Sequence, residues 1–152
     1  MAAKKKVIPT VEATLSALSE SPPKGKQKGA KSFKKLEALT AIPDGLRELW
    51  TWSNGFSRMF LRNADYFTEC TDDLYSVDQA ATVLKRNLEA GMDPQLLPFG
   101  GEAGSGDSLV LHAKTGRVLY WDHEEGEADA GDPVAKSLDE LLARSAKLLL
   151  GV

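Results

Sequence analysis

Two histidines and their acidic neighbours are the residues of this chain that most resemble a catalytic or metal-binding group. His112 ends one predicted strand, and Asp122, His123 and Glu124 close the next one. A histidine beside a carboxylate can serve acid–base catalysis or bind a metal ion. The spacing from His112 to His123 lacks the His-Glu-x-x-His pattern that puts two ligands on one helix face. His112 and Asp122 lie on adjacent predicted strands and could be cross-strand neighbours. Because the metal-ligand spacing is lacking, we favour a hydrogen-bond cluster at the strand ends over a metal or acid–base site.

A glycine-rich stretch suggests a phosphate site. Gly100, Gly101, Gly104 and Gly106 precede Asp107, whereas a Walker loop requires Lys and then Ser or Thr after its last glycine. A predicted strand follows the glycines, while a dinucleotide-binding fingerprint opens a helix. We therefore interpret these glycines as turn residues.

The chain offers no recognisable nucleophile. Ser105 lies in Gly-Ser-Gly rather than in a Gly-x-Ser-x-Gly elbow. Cys70 has no sequence neighbour that would activate its thiol and no partner at metal-binding spacing. We expect no enzymatic activity, no cofactor and no bound metal.

Length and composition predict one globular unit in a reducing compartment. A chain of 152 residues with 42% hydrophobic and 27% charged residues is ordinary for a single core. Its single cysteine cannot form an internal disulfide. After Lys4, Lys5 and Lys6 no apolar signal segment follows, and no apolar run is long enough to cross a bilayer. We expect a soluble cytoplasmic protein.

Charge is distributed unevenly along the chain. Residues 1–35 carry nine lysines and two acidic residues, giving +7, and residues 36–152 carry ten basic and twenty acidic residues, giving −10, which sum to the net −3. The lysines of residues 24–35 form either a solvated tail or a contact to nucleic acid or a membrane surface; the former is favoured, because no aromatic side chain interleaves them before Phe33.

An acidic run near the end of the chain is the predicted partner-binding patch. It contains Glu124, Glu125, Glu127, Asp129 and Asp132. The run is either a solvated loop or a surface matched to a basic partner, since charge complementarity raises association rates. A sixth candidate for partner binding is Trp52, which lies about 200° from Trp50 around a helix at 100° per residue and so cannot share its buried stripe.

Helices dominate the N-terminal half. Thr10 predicts the start of a helix over residues 11–19, residues 20–31 read as a mobile linker or a long surface loop, and Ser32 is predicted to cap a brief helix. A third helix begins at Pro43 and Asp44 and ends at Asn54 and Gly55. Residues 56–75 suggest only short strands, at residues 59–61 and 66–67. Ser76 and Gln79 form a capping box for a helix that ends at Gly91.

Short β-rich runs follow Gly91. Residues 96–99, 109–112 and 117–122 predict an antiparallel meander, and Ser137 with Glu140 starts a last helix. Together these elements predict an α+β fold.

An ordered set of residues resembles the SUKH superfamily, of the cell-wall-assembly-regulator type. The resemblance covers residues 33–150 and rests on Ile42, Pro43, Asp44, Leu49, Trp50, Asn54, Gly55, Leu97, Pro98, Phe99, Gly106, Asp107, Gly116, Val118, Tyr120, Trp121, Asp122, His123, Glu124, Ser137, Leu138 and Leu141. It implies N-terminal helices, a central antiparallel sheet and a closing C-terminal helix. We expect residues 1–31, a short helix and a Lys/Pro/Gly-rich linker, to precede a SUKH-like domain at 32–152; the lysine-rich stretch departs from the compact pattern of the family.

The resemblance implies a non-catalytic function. Bacterial members resemble immunity proteins that bind and neutralise a cognate polymorphic toxin, often a nuclease, and eukaryotic members resemble regulatory scaffolds. The motif residues are read as structural: Asn54 and Gly55 end a helix, Pro98 and Phe99 begin a core strand, and Gly106 and Asp107 form a turn. We expect an immunity protein whose acidic face covers a basic toxin. The alternatives are a regulatory scaffold using Trp52 or the lysines, and a hydrolase using His112, Asp122 and His123.

Overall fold

Five helices and five strands make up the part of the chain that the computed structural model describes, residues 7–61, 71–102, 106–124 and 133–151. In chain order they are α1 (Val11–Glu20), α2 (Lys34–Glu37), α3 (Asp44–Trp52), β1 (Phe56–Leu61), β2 (Thr71–Leu74), α4 (Val77–Glu89), β3 (Leu96–Gly101), β4 (Ser108–His112), β5 (Val118–Trp121) and α5 (Leu138–Leu149). The predicted α+β fold, with N-terminal helices, an antiparallel sheet and a closing helix, is confirmed.

The five strands form one antiparallel sheet in chain order, β1-β2-β3-β4-β5. The β4–β5 hairpin pairs Ser108 with Trp121 and Leu111 with Val118. Every residue of the central strand β3 is buried. Helix α4 packs on β3, α5 packs on β1, and α1 contacts both α3 and α5. The sheet is thereby joined to the helices through one apolar core.

The core is built around large aromatic side chains. Trp50, Phe60 and Phe99 have no solvent exposure, and Trp121 has 1%. The rings of Phe60 and Phe99 meet edge to face with centroids 5.4 Å apart, an arrangement that aromatic quadrupoles favour.

Local capping signals act as predicted in α4 and α5, whereas α2 has Phe33 rather than Ser32 at its N-cap position and α3 ends at Trp52, before Asn54 and Gly55. Ser76 accepts a hydrogen bond from the Gln79 amide, and the Gln79 side chain accepts one from the Ser76 amide, which completes the capping box. Ser137 caps α5 by accepting from the Glu140 amide at 3.1 Å. Gly91, at φ +95°, ends α4 in the left-handed conformation.

Two sheet predictions need correction. Strand β2 was not predicted, because Thr71–Leu74 is polar in sequence, yet Asp72 is only 1% exposed there. Pro98 and Phe99 do not begin β3, which starts at Leu96; they lie in its middle, next to a register shift between Pro98 and Gly100. A bulge of this kind accommodates the missing proline donor. The predicted strand at residues 66–67 lies outside the described residues.

The lysine-rich segment after α1 is hydrogen-bonded to the end of α3. The Gln27 amide donates to Ser53 Oγ at 2.8 Å, Asn54 donates to the Lys28 carbonyl at 2.9 Å, and the Ala30 amide donates to the Trp50 carbonyl at 2.8 Å. Of the two interpretations of this segment, these bonds favour the long surface loop.

Helix α1 lies in the same core as the rest of the described chain. Its Val11, Leu15 and Leu18 are buried. Deleting residues 1–31, a direct test of whether the leader binds a partner, would therefore also remove core packing. Substituting exposed lysines tests whether the leader binds a partner without removing this packing.

None of the helices in the described part of the chain combines the length and apolar character needed to cross a bilayer.

Candidate binding cleft

A cleft of about 880 Å³ opens between α4, the β1–β2 ribbon and the turn before β4. The polar side chains of its lining include Asn54, Asp73, Tyr75, Asp78, Arg86, Glu102 and His123. Four residues of the sequence motif, Asn54, Gly55, Gly106 and His123, are part of this lining. These four motif residues therefore lie together in the fold.

The end of α3 builds the first wall of the cleft. Trp50 Nε1 donates a hydrogen bond to the Tyr75 carbonyl at 2.7 Å. Asn54 Oδ1 accepts from the Val77 amide at 2.9 Å, which satisfies a free donor in the first turn of α4. A Cβ at Gly55, whose φ is +98°, would lie 3.5 Å from the Ser76 nitrogen. These contacts fix the position of Tyr75 and the start of α4.

Tyr75 lies in the interior of the cleft. Its hydroxyl is 3.5 Å from Ser108 Oγ, which also accepts from Asn87 Nδ2 at 3.5 Å behind it. Burial raises the pKa of Tyr75 above its ordinary value. The phenol is thus a neutral hydrogen-bonding group at physiological pH.

The turn before β4 and the end of β5 build the opposite wall. Asp107 Oδ1 accepts from the His123 amide at 3.1 Å and lies 2.7 Å from His123 Nδ1. Asp122 Oδ1 accepts from the Glu124 amide at 2.8 Å. A Cβ at Gly106, at φ +81°, would come within 3.0 Å of His123 Nδ1. Glycine is therefore needed both for the turn conformation and for the approach of the imidazole.

The same wall contains the group that could hold a metal ion. One oxygen each of Asp107 and Asp122 and one nitrogen of His123 lie within 4.8 Å of one another. Hydrogen bonds within the turn account for the positions of these atoms, which supports the interpretation as a hydrogen-bond cluster.

The predicted proximity of His112 and Asp122 is wrong. The register places Ser108 opposite Trp121 and Leu111 opposite Val118, so His112 and Asp122 lie at opposite ends of the hairpin. His112 Nδ1 instead accepts from the Lys114 and Thr115 amides of the tight turn. The structure therefore does not assemble the hydrolase site that combined His112 with Asp122 and His123.

We predict that His123 titrates above the ordinary histidine value. The hydrogen bond to Asp107 raises the pKa of His123, with smaller contributions from the charges of Asp107, Glu124 and Asp122. The ion pair stabilises the fold below the unfolded pKa of about 6.5, and this contribution is lost as the pH rises through the higher folded pKa. NMR titration of the imidazole protons measures the value directly.

Asp107→Asn is the matching variant, because the amide oxygen can still accept from the His123 backbone. It should move the His123 titration toward lower pH. The surface variant Asp139→Asn on α5 serves as control and should leave it in place. An unchanged His123 titration in Asp107→Asn would contradict the assigned ion pair.

Trp52 is partly buried against other segments. Its ring stacks on Phe56 with centroids 6.0 Å apart, Lys26 Nζ lies 5.2 Å from its centroid, and its Nε1 donates to Ser19 Oγ at 2.9 Å. The ring thus joins α1, the lysine-rich loop and β1. These contacts give Trp52 a structural explanation, and its part in partner binding stays a prediction.

Of the predicted acidic patch, the structure describes only Glu124. Glu124 is exposed and follows His123, one of the lining residues. Its other members, Glu125, Glu127, Asp129 and Asp132, lie outside the described residues.

Sequence reasoning missed the cleft residues contributed by β2 and α4. Asp73, Tyr75, Asp78 and Arg86 stand in no motif, and the pairing of β2 with both β1 and β3 is what brings them together. The one local signal was the Ser76 capping box, which places Tyr75 and Asp78 on either side of a helix start.

The antiparallel sheet, its flanking helices and the polar cleft between them define an α+β domain. The model of the SMI1 / KNR4 family (SUKH-1) matches residues 32–144, well over half of the chain, and the chain belongs to this family. Comparison with curated proteins gives no significant match. Membership supports a protein-binding role of the immunity or regulatory kind, in a family that is generally non-catalytic.

Proposed function

We propose that this protein is an immunity protein that binds and neutralises a basic protein toxin by covering its active site or substrate groove. The observation that carries the proposal is membership of the SMI1 / KNR4 family together with a charge of −10 over residues 36–152, which hold ten basic and twenty acidic residues. A negative surface steers a positively charged partner and disfavours other partners. The protein needs no chemistry of its own for such a block.

The acidic patch from Glu124 to Asp132 and the adjoining cleft are the proposed contact surface. Glu124 is exposed beside the cleft wall, and loops held by a rigid scaffold commonly carry recognition. Nuclease toxins have basic substrate grooves, since they must bind phosphates. A nuclease is therefore the toxin class that this charge suits best, and the cytoplasm is the compartment in which such a toxin would be neutralised.

The proposal is tested by capture of the partner and by protection of cells. Tagged protein is exposed to host lysate at low and raised salt, and retained proteins are identified by mass spectrometry. We expect one basic domain that is toxic when produced alone and harmless when produced together with this protein. Capture of an endogenous factor, without any protection, would support the regulatory scaffold instead.

The contact surface is tested with the same partner. Neutralising Glu124, Glu125, Glu127 and Asp129 together should slow association and flatten its salt dependence, because long-range steering acts mainly on the association rate. The control is neutralisation of Lys24, Lys28 and Lys31, three exposed lysines of the loop after α1. Unchanged kinetics in the acidic variant, or a larger loss in the lysine variant, would place the contact elsewhere.

A further inference from the structure

The cleft is lined by carboxylates that come from three separate parts of the fold. Asp73 lies on β2, Asp78 in the first turn of α4, and Glu102 directly after β3. Arg86 is the one lysine or arginine in the described lining. The lining is therefore net negative, and its charge complements a cation.

Asp73 is held in place by an unusual backbone feature. The β1–β2 pairing shifts register between Phe56 and Phe60, and within this bulge Arg58 has φ +54°, the only positive φ of a non-glycine residue in the described chain. The Arg58 amide donates to Asp73 Oδ1 at 2.7 Å, and Arg58 Nε donates to Thr71 Oγ1 at 3.2 Å. The bulge orients the Asp73 carboxylate, a common use of bulges beside functional sites.

Asp78 is the carboxylate of the lining whose cation partner is most easily replaced. Lys35 Nζ lies 3.5 Å from Asp78 Oδ2, but both side chains are largely exposed, at 73% and 66%, and such a pair is weak. On the opposite wall, His123 is engaged by Asp107. A partner cation can therefore replace Lys35 at little cost.

The interior of the cleft suits an amphipathic side chain. Phe56, Leu74 and Val83 contribute apolar lining, and Tyr75, whose hydroxyl is 3.5 Å from Ser108 Oγ, is part of the same lining. A long aliphatic stem can lie on this apolar surface while its charged head meets the carboxylates. Guanidinium has five donors in a planar fork and can serve several acceptors at once, whereas ammonium is a compact point charge.

We propose that the cleft receives an arginine side chain from a basic segment of the partner protein, with Asp73, Asp78 and Glu102 as its acceptors. This assignment rests on the proposed function in so far as the partner is a basic toxin. The cleft binds the partner's arginine at a defined position, and the negative charge of the run from Glu124 to Asp132 supplies the longer-range attraction.

The first test uses a peptide as the probe. A short capped peptide with one central arginine is titrated into isotopically labelled full-length protein, beside the same peptide with lysine or with uncharged citrulline in its place. We expect amide shifts at Asp73, Tyr75, Asp78 and Gly106 with arginine, weaker ones with lysine, and none with citrulline. Equal shifts with citrulline, or shifts spread evenly over the acidic surface, would overturn the assignment.

The second test removes the carboxylates. Asp78→Asn and Glu102→Gln alter exposed side chains, and Asp73→Asn keeps an oxygen that can accept from Arg58. The triple variant should weaken arginine-peptide binding at least tenfold. The matched control, Glu12→Gln with Asp44→Asn and Glu48→Gln, changes the net charge equally in the separate groove between α1 and α3 and should change binding less than twofold. Similar losses of peptide affinity in both triple variants would mean that net charge alone explains the effect, and would contradict an arginine site in the cleft.

The outcomes separate this inference from the proposed function. If the cleft triple variant still binds the toxin with full affinity, the arginine site in the cleft is contradicted, whereas the proposed immunity function is not. Arginine-specific binding in the cleft without any toxin partner would support the arginine site and indicate that the partner is a different basic protein.

Discussion

Replacing Trp50 with alanine is expected to lower the free energy of unfolding by about 3–5 kcal/mol, the usual cost of deleting a fully buried aromatic ring. Trp50 has no solvent exposure, so the deletion leaves a cavity in the core. It also removes the Nε1 hydrogen bond to the Tyr75 carbonyl. Domains of this size are stable by about 5–15 kcal/mol, so the variant should be close to its folding limit.

Urea denaturation followed by far-UV circular dichroism measures this loss, since the substitution itself alters fluorescence. Trp50→Phe keeps most of the ring but loses the donor, and should fall between wild type and alanine. Trp52→Ala is the comparison on the same helix; because that ring is only partly buried, its cost should be smaller. A Trp50→Ala loss below about 1 kcal/mol, the typical effect of any substitution, would contradict the assigned packing.

The Trp50 variants also connect stability to the cleft. Trp50 and Asn54 together hold the segment from Tyr75 to Val77. In Trp50→Phe, which should remain folded, the Tyr75 and Val77 amides, which donate to the Phe99 carbonyl and to Asn54 Oδ1, should exchange faster than in wild type, while the amides of α5 keep their wild-type rates. Faster exchange that is confined to this segment indicates local opening caused by the lost Trp50 hydrogen bond, not global unfolding.

Replacing Gly29 with alanine is expected to detach the lysine-rich loop from α3 and to cost about 1–3 kcal/mol, the range for overpacking a close contact. A Cβ at Gly29 would overlap the Thr51 carbonyl oxygen and lie 2.8 Å from the Thr51 carbonyl carbon. Both are backbone atoms of α3, so a rotamer change cannot relieve the clash. The loop must move and give up its hydrogen bonds from Asn54 to Lys28 and from Ala30 to Trp50.

Hydrogen exchange tests this prediction at single residues. The Ala30 and Asn54 amides should exchange much faster in Gly29→Ala, and urea denaturation should show the loss in stability. Lys28→Ala is the matched control, because it changes the adjacent exposed residue and should stay within about 0.5 kcal/mol of wild type. Retained protection of Ala30 in Gly29→Ala would contradict the close approach of loop and helix.

Local chemistry made the helices of this protein predictable. The helix signals are local in the sequence: Ser76 caps α4 together with Gln79, Ser137 caps α5 by accepting from the Glu140 amide, and Gly91 ends α4 by its own conformation. A cap satisfies orphan amides of the helix it starts, whatever surrounds it. Apolar residues at helical spacing then determined which face is buried, as Leu46, Leu49 and Trp50 show in α3.

Strand β2 and the lysine-rich loop were harder to predict because their partners are distant in sequence. The polar run Thr71–Leu74 becomes a strand through pairing with β1 on one side and β3 on the other. The loop carries few apolar side chains, and what orders it is backbone hydrogen bonding to α3. Every residue except proline can make such backbone hydrogen bonds, so the pattern of side chains in the sequence does not predict them.

The sequence by itself determined the α+β class, the helix ends, the β4–β5 hairpin, the charge asymmetry and the family, since each depends on residue types and on short spacings. Tertiary structure alone decided the site: the register that separates His112 from Asp122 and brings Asp122 and His123 to Asp107, and the cleft that joins Asp73, Tyr75, Asp78 and His123. The physical reason is that strand register and helix docking are set by the packing of the whole core. A one-residue slip would exchange the faces of a strand and redistribute every side chain on it.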